Sequence, residues 1–163
     1  MYKAAILTIS TKGAKGERVD ESGPALKKIL IEEGFDVRYT NIITDDRVAI
    51  KNELNKLCDE NINLILTTGG TGFSKTDVTP EATSDVIEKL APGISEIMRL
   101  KSYEETKKSV LSRGISGIKN NSLIINLPGS TKGATESFNI VKNVIKHGIE
   151  IMLTNGSSDC GNK

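Results

Sequence analysis

Residues 63–83 read Asn63-Leu64-Ile65-Leu66-Thr67-Thr68-Gly69-Gly70-Thr71-Gly72-Phe73-Ser74-Lys75-Thr76-Asp77-Val78-Thr79-Pro80-Glu81-Ala82-Thr83. The first six residues have a continuous apolar centre, as expected of a strand covered on both faces. Glycines at 69, 70 and 72 then open a loop, and Pro80-Glu81 starts a helix. Strand, glycine loop and helix in that order predict one unit of an α/β fold.

The pattern repeats on either side. Lys3–Ile9 reads as a buried strand, followed by a glycine-bearing loop from Ser10 to Gly23. Pro24 opens a helix with Ala25, Leu26, Ile29 and Leu30 on one face, and Gly34 stops it. Phe35 to Ile43 predicts the second strand, and Asp45 or Asp46 can cap a helix bearing Val48, Ile50, Leu54 and Leu57. Thr79 is placed to cap the helix at Pro80. A long helical region is expected over about 94–109, then a hairpin. Its arms are 114–118 and 123–126, and its turn is Lys119-Asn120-Asn121-Ser122. Leu127-Pro128-Gly129-Ser130 leads to a last helix from Ala134 to Leu153, where His147 before Gly148 marks a helix end. The prediction is a three-layer α/β sandwich with a mainly parallel central sheet. Residues 1–153 form its one domain, and residues 154–163 form a polar tail expected to fray.

Composition narrows the classes. Twenty-two Lys and Arg against twenty-one Asp and Glu leave a net charge of +1, without the basic excess of a nucleic-acid binder. Aromatics are 4% with no Trp, which argues against a base-stacking platform. No apolar run reaches the roughly 20 residues of a membrane span, and no signal-peptide pattern is present, so the expected location is the cytoplasm. Cys58 and Cys160 read as free thiols, neither with a Cys or His at metal-ligand spacing.

The chemistry-bearing residues fall after predicted strands, where open parallel sheets bind ligands. Ser10 and Thr11 follow the first strand, and Thr44-Asp45-Asp46 the second. After the third, the glycines and the helix start offer backbone N–H groups to an anion. The loop matches neither a Walker A nor a Rossmann fingerprint, since Ser74 and Lys75 stand where glycines are needed. Asp45, Asp46 and Asp77 place carboxylates on the same rim, where they repel a phosphate unless a cation lies between. That points to Mg²⁺ held by one or two of them, with Asp45 or Asp46 left to cap the following helix. Arg113 in Ser112-Arg113-Gly114 can grip a phosphate bidentately, and Lys132 can act as a point charge. Gly129, Ser130 and Gly133 are a second candidate anion site.

With these blocks in view, the chain resembles the MogA/MoaB family of molybdenum-cofactor biosynthesis proteins, over about Lys3 to Leu153. The matching blocks are Thr67–Gly72 with Asp77–Thr83, Leu111–Gly114, and Asn126–Ser130. The resemblance implies a molybdopterin-binding fold, assembled as a homotrimer. It also implies molybdopterin adenylyltransferase activity: molybdopterin plus ATP gives adenylyl-molybdopterin and pyrophosphate, with Mg²⁺ as cofactor. Asp45 and Asp77 would be the catalytic and metal-binding residues. The substrate-binding set would be Ser10, Thr68, Gly69, Gly70, Thr71, Gly72, Pro80, Glu81, Ser112, Arg113, Pro128, Gly129 and Ser130. Hand-over of product to a molybdenum insertase follows from the same resemblance. The alternative is a non-catalytic or regulatory molybdopterin-binding protein of the MoaB type; the presence of both aspartates favours the enzyme.

Overall fold

Strand β3 (Leu64–Thr68) is buried at every residue and lies in mid-sheet, as its unbroken apolar run requires. The computed structural model describes residues 1–154. In it β1 (Lys3–Ile9), β2 (Asp36–Ile43), β4 (Lys89–Leu90), β5 (Ser116–Lys119) and β6 (Ser122–Leu127) complete a six-stranded sheet of order β2-β1-β3-β6-β5-β4. The first four strands in that order run parallel, while β5 and β4 pair antiparallel beyond them.

Alternate residues of each central strand face opposite layers. Ala4, Ile6, Leu64, Leu66, Leu123 and Ile125 meet α2 (Ser22–Glu32), α5 (Pro92–Glu105) and α6 (Thr131–Leu153) through Leu26, Leu30, Met98, Phe138, Val141 and Ile145. Ala5, Leu7, Ile65 and Ile124 meet α3 (Arg47–Asp59) and α4 (Thr79–Ser84) through Ile50, Leu54, Leu57 and Ala82. The three-layer sandwich is therefore present. The parallel strands bring the ends of β1, β2, β3 and β6 to one edge, with Thr8 level with Thr68 and Thr68 level with Leu127.

Several boundaries differ from expectation. The Ser10–Gly23 loop contains a short helix, α1 (Thr11–Ala14). Helix α2 starts at Ser22, before Pro24, because the Asp20 carboxylate accepts from Gly23 N and Ser22 Oγ. Thr79 does not cap α4: Val78 holds that position, and the Thr79 hydroxyl donates to Gly69 O at 2.9 Å. The long helical region divides into α5 and a 3₁₀ turn over Lys107–Leu111. Helix α6 begins at Thr131, capped by Ser130, and runs through His147 and Gly148 to Leu153. Burial of Ile145 and Ile149 outweighs the roughly 1 kcal/mol cost of a helical glycine there. His147 is thus mid-helix, 4.0 Å from Glu150. Thr154 ends α6 by donating its hydroxyl to Glu150 O, while the rest of the expected tail, Cys160 included, lies outside the described residues. Cys58 is a free, buried thiol whose pKa is pushed up by burial.

Candidate active site

A cavity of about 960 Å³ lies over the carboxyl edge of the sheet. Every parallel strand contributes through its following loop: Ser10 and Thr11 after β1, Asp45 after β2, Thr68, Gly69 and Gly70 after β3, and Gly129, Ser130 and Thr131 after β6. Asp77 and Thr76 reach it from the far side of the glycine loop.

The neighbours Asp45 and Asp46 have separate tasks. Asp46 caps α3, accepting from Ala49 N at 2.7 Å. Asp45 turns into the cavity, where Oδ2 accepts from Thr11 N at 2.9 Å and Thr11 Oγ1 at 2.8 Å. Its Oδ1 carries no protein hydrogen bond among the described residues and faces Gly70, where a Cβ would lie 3.3 Å away.

Gly69 and Gly70 have φ of +106° and +66°, a left-handed backbone that turns the chain sharply out of β3. The peptide N–H of Gly70 is left without a protein acceptor among the described residues. Gly72 differs from the donor role expected of it: its N–H is donated to Asp77 Oδ2 at 2.8 Å. That bond draws the Asp77 carboxylate inward, again leaving Oδ1 free of protein donors among the described residues.

Arg113 departs furthest from expectation. Its guanidinium is committed to the glycine loop: Nε donates to Gly72 O at 2.7 Å and one terminal nitrogen to Asp77 O at 2.9 Å, while the other pairs with Glu81. This partnership holds the Glu81 carboxyl below the usual glutamate range. Arg113 and Glu81 do not line the cavity, nor do Thr71, Gly72 and Pro80. Ser112 and Pro128 face a smaller cavity of about 310 Å³ between α5 and the start of α6. Ser130 borders both cavities. Lys132 is exposed and 3.8 Å from Glu136, away from the main cavity.

Sequence reasoning missed the cations Lys12, Lys15 and Arg18 on the rim and Asp20 in the wall. The three cations recur every third residue directly after a strand end, a signal that was available. Asp20 sits just ahead of a helix start, another legible position. The donor set fits Mg²⁺, which takes one or two carboxylates and completes its octahedron with phosphate oxygens and water. Asp45 and Asp77 each offer this cavity one carboxylate oxygen without a protein donor among the described residues, beside the tight Gly69-Gly70 turn.

A parallel sheet that gathers a glycine turn, two carboxylates and a helix N-terminus at its carboxyl edge defines an α/β ligand-binding domain. More particularly, the chain belongs to the family described as probable molybdopterin binding domain, whose model matches residues 5–147. The Molybdopterin adenylyltransferase of Helicobacter pylori 26695 is 40% identical over 153 residues, 92% of this chain and 87% of that one. The Molybdenum cofactor synthesis protein cinnamon of Drosophila melanogaster is also 40% identical, but the chain spans only 25% of its length. Among solved structures, the molybdopterin biosynthesis enzyme MoaB of Thermus thermophilus superposes with a TM-score of 0.90 at 40% identity. The match covers 94% of this chain and 98% of that one. The MogA/MoaB resemblance carried by the sequence blocks and the sandwich fold are both established by these matches.

Proposed function

We propose that this protein transfers AMP from ATP to the terminal phosphate of molybdopterin, releasing pyrophosphate. The carrying observation is the convergence of Asp45, Asp77 and the Gly69-Gly70 turn on one cavity beside the α6 N-terminus. Two anionic substrates must meet there, so the work is alignment and charge neutralisation rather than proton abstraction. A phosphate oxygen of molybdopterin forms a bond to the α-phosphorus as the bond from that phosphorus to the pyrophosphate oxygen breaks. The attacking phosphate is substantially ionised near neutral pH and needs no strong base.

Each part of the chain has a task in this reading. Asp45 and Asp77 would hold Mg²⁺, which when bound neutralises phosphate charge and orients the α-phosphorus. The Gly70 N–H and the first turn of α6, behind Gly129 and Ser130, present donors to phosphate oxygens. Lys12, Lys15 and Arg18 attract the polyanion to the rim. Action in the cytoplasm, a homotrimeric assembly and hand-over of product to a molybdenum insertase belong to the same proposal. Exposed Leu90, Leu100 and Val110 support burial against other subunits. Purified protein given ATP and Mg²⁺ should release pyrophosphate only when molybdopterin is added. Tight molybdopterin binding without adenylyl-molybdopterin formation would overturn the reading and leave a binding protein.

A further inference from the structure

We propose that Arg113 is a positioning residue. It locks the Gly72–Asp77 turn so that the Asp77 carboxylate points into the cavity, and it does not itself bind substrate.

The geometry is specific to that segment. Gly72 gives its N–H to Asp77 Oδ2 at 2.8 Å and its carbonyl to Arg113 Nε at 2.7 Å. Asp77 gives its own carbonyl to Arg113 at 2.9 Å. One guanidinium therefore spans both peptide carbonyls of the two residues whose mutual hydrogen bond shapes the turn. Glu81, at the start of α4, pairs with the remaining terminal nitrogen and fixes the fork from the other side. The Arg113 peptide N–H adds a bond to Thr71 O at 2.8 Å. Every one of these acceptors lies between residues 71 and 81, and of the residues that supply them only Asp77 lines the cavity.

The planar fork is what the task requires. Lysine carries the same charge but is a compact point donor and cannot hold three acceptors in one plane. A Cβ on Gly72 would stand 2.8 Å from Asp77 Oδ2, so a side chain there would push away the carboxylate that the Gly72 N–H now holds. The turn is thus closed by Asp77 from inside and by Arg113 from outside, with no slack between.

The inference rests on the use of Asp77 in the proposed reaction, so its test has two arms. In the ligand-free protein, amide hydrogen exchange should rise by about tenfold over residues 71–78 in Arg113→Gln, the scale of one lost charge-assisted hydrogen bond. The sheet amides should be unchanged. Glu81→Gln, which keeps the shape and removes the charge, should loosen the same peptides if Arg113→Gln fails to fold. In the loaded enzyme, Arg113→Lys should lower kcat by about tenfold and raise the Mg²⁺ concentration needed for half-maximal rate, with KM for molybdopterin little changed. Wild-type exchange over 71–78 in both uncharged variants would overturn the proposal. So would a rise in KM for either substrate at unchanged kcat and Mg²⁺ response, because that is how a substrate ligand behaves. If the wild type shows no turnover, the proposed function fails while the exchange arm still decides the role of Arg113.

Discussion

Thr11 and Asp45 exchange three hydrogen bonds across 34 residues of sequence. The threonine gives its N–H and hydroxyl to Asp45 Oδ2, and its hydroxyl oxygen accepts from Asp45 N at 3.1 Å. This ties the loops after β1 and β2 together and aims the carboxylate. Thr11→Val keeps the volume but strips the hydroxyl, orphaning the Asp45 N–H. Urea melts should show a loss of about 1–3 kcal/mol, while Thr11→Ser stays near wild type. Equal stability of the valine variant would mean the reciprocal pair adds nothing.

Asp77→Asn preserves the acceptor for Gly72 N–H and removes the charge. The fold and much of the molybdopterin binding should survive while pyrophosphate release disappears. Thermal melts beside a turnover assay check both halves, and undiminished turnover would exclude Asp77 from the metal site.

Gly70→Ala faces two obstacles at once. A φ of +66° costs an ordinary residue about 1–2 kcal/mol, and the new Cβ would collide with the Thr79 hydroxyl. The variant should melt earlier than wild type and also lose activity. Gly148→Ala is the control: nothing lies within 4 Å of its Cβ position, and in a helix interior it should stabilise by roughly 1 kcal/mol.

Acid should act on the Arg113–Glu81 link before it reaches the core. The hydrogen bond from Arg113 holds the Glu81 carboxyl below its ordinary value of 4.5. A depressed carboxylate contributes stability above its unfolded pKa and loses it as pH falls through the lower folded value. Asp85, held down by Arg47, behaves in the same sense. Melting temperature should therefore fall more steeply below about pH 4.5 in wild type than in Glu81→Gln, with the two curves parallel near neutrality. Identical acid limbs would show that the pair does not contribute.

The sequence was most legible where burial writes a pattern. The apolar run of β3 and the hairpin around Asn120-Asn121 stand close to where they were expected. Strand β4 left no pattern because its two residues are exposed. Gly148 misled because a helix-ending glycine and a tolerated one are the same letter, and only the burial of Ile149 distinguishes them. Within the site, Asp45 and Asp46 were inseparable on paper. A tight turn, closed by Asp46 N donating to Thr44 O, sends one to the cavity and the other to the helix. Arg113 was found as a residue but not as a role, since its acceptors are mostly peptide carbonyls that no side-chain pattern reveals.

The loops after β3 and β6 touch backbone to backbone. A Cβ on Gly129 would lie 3.2 Å from Gly69 Cα, Gly69 N donates to Leu127 O, and the Thr68 hydroxyl donates to Pro128 O at 2.7 Å. The two segments are therefore mated parts, and neither can be exchanged alone. Transplanting the glycine turn onto another parallel sheet would carry over its donors without the surface that seats them. The smallest portable unit of this site is both strand ends together, cut as a single graft.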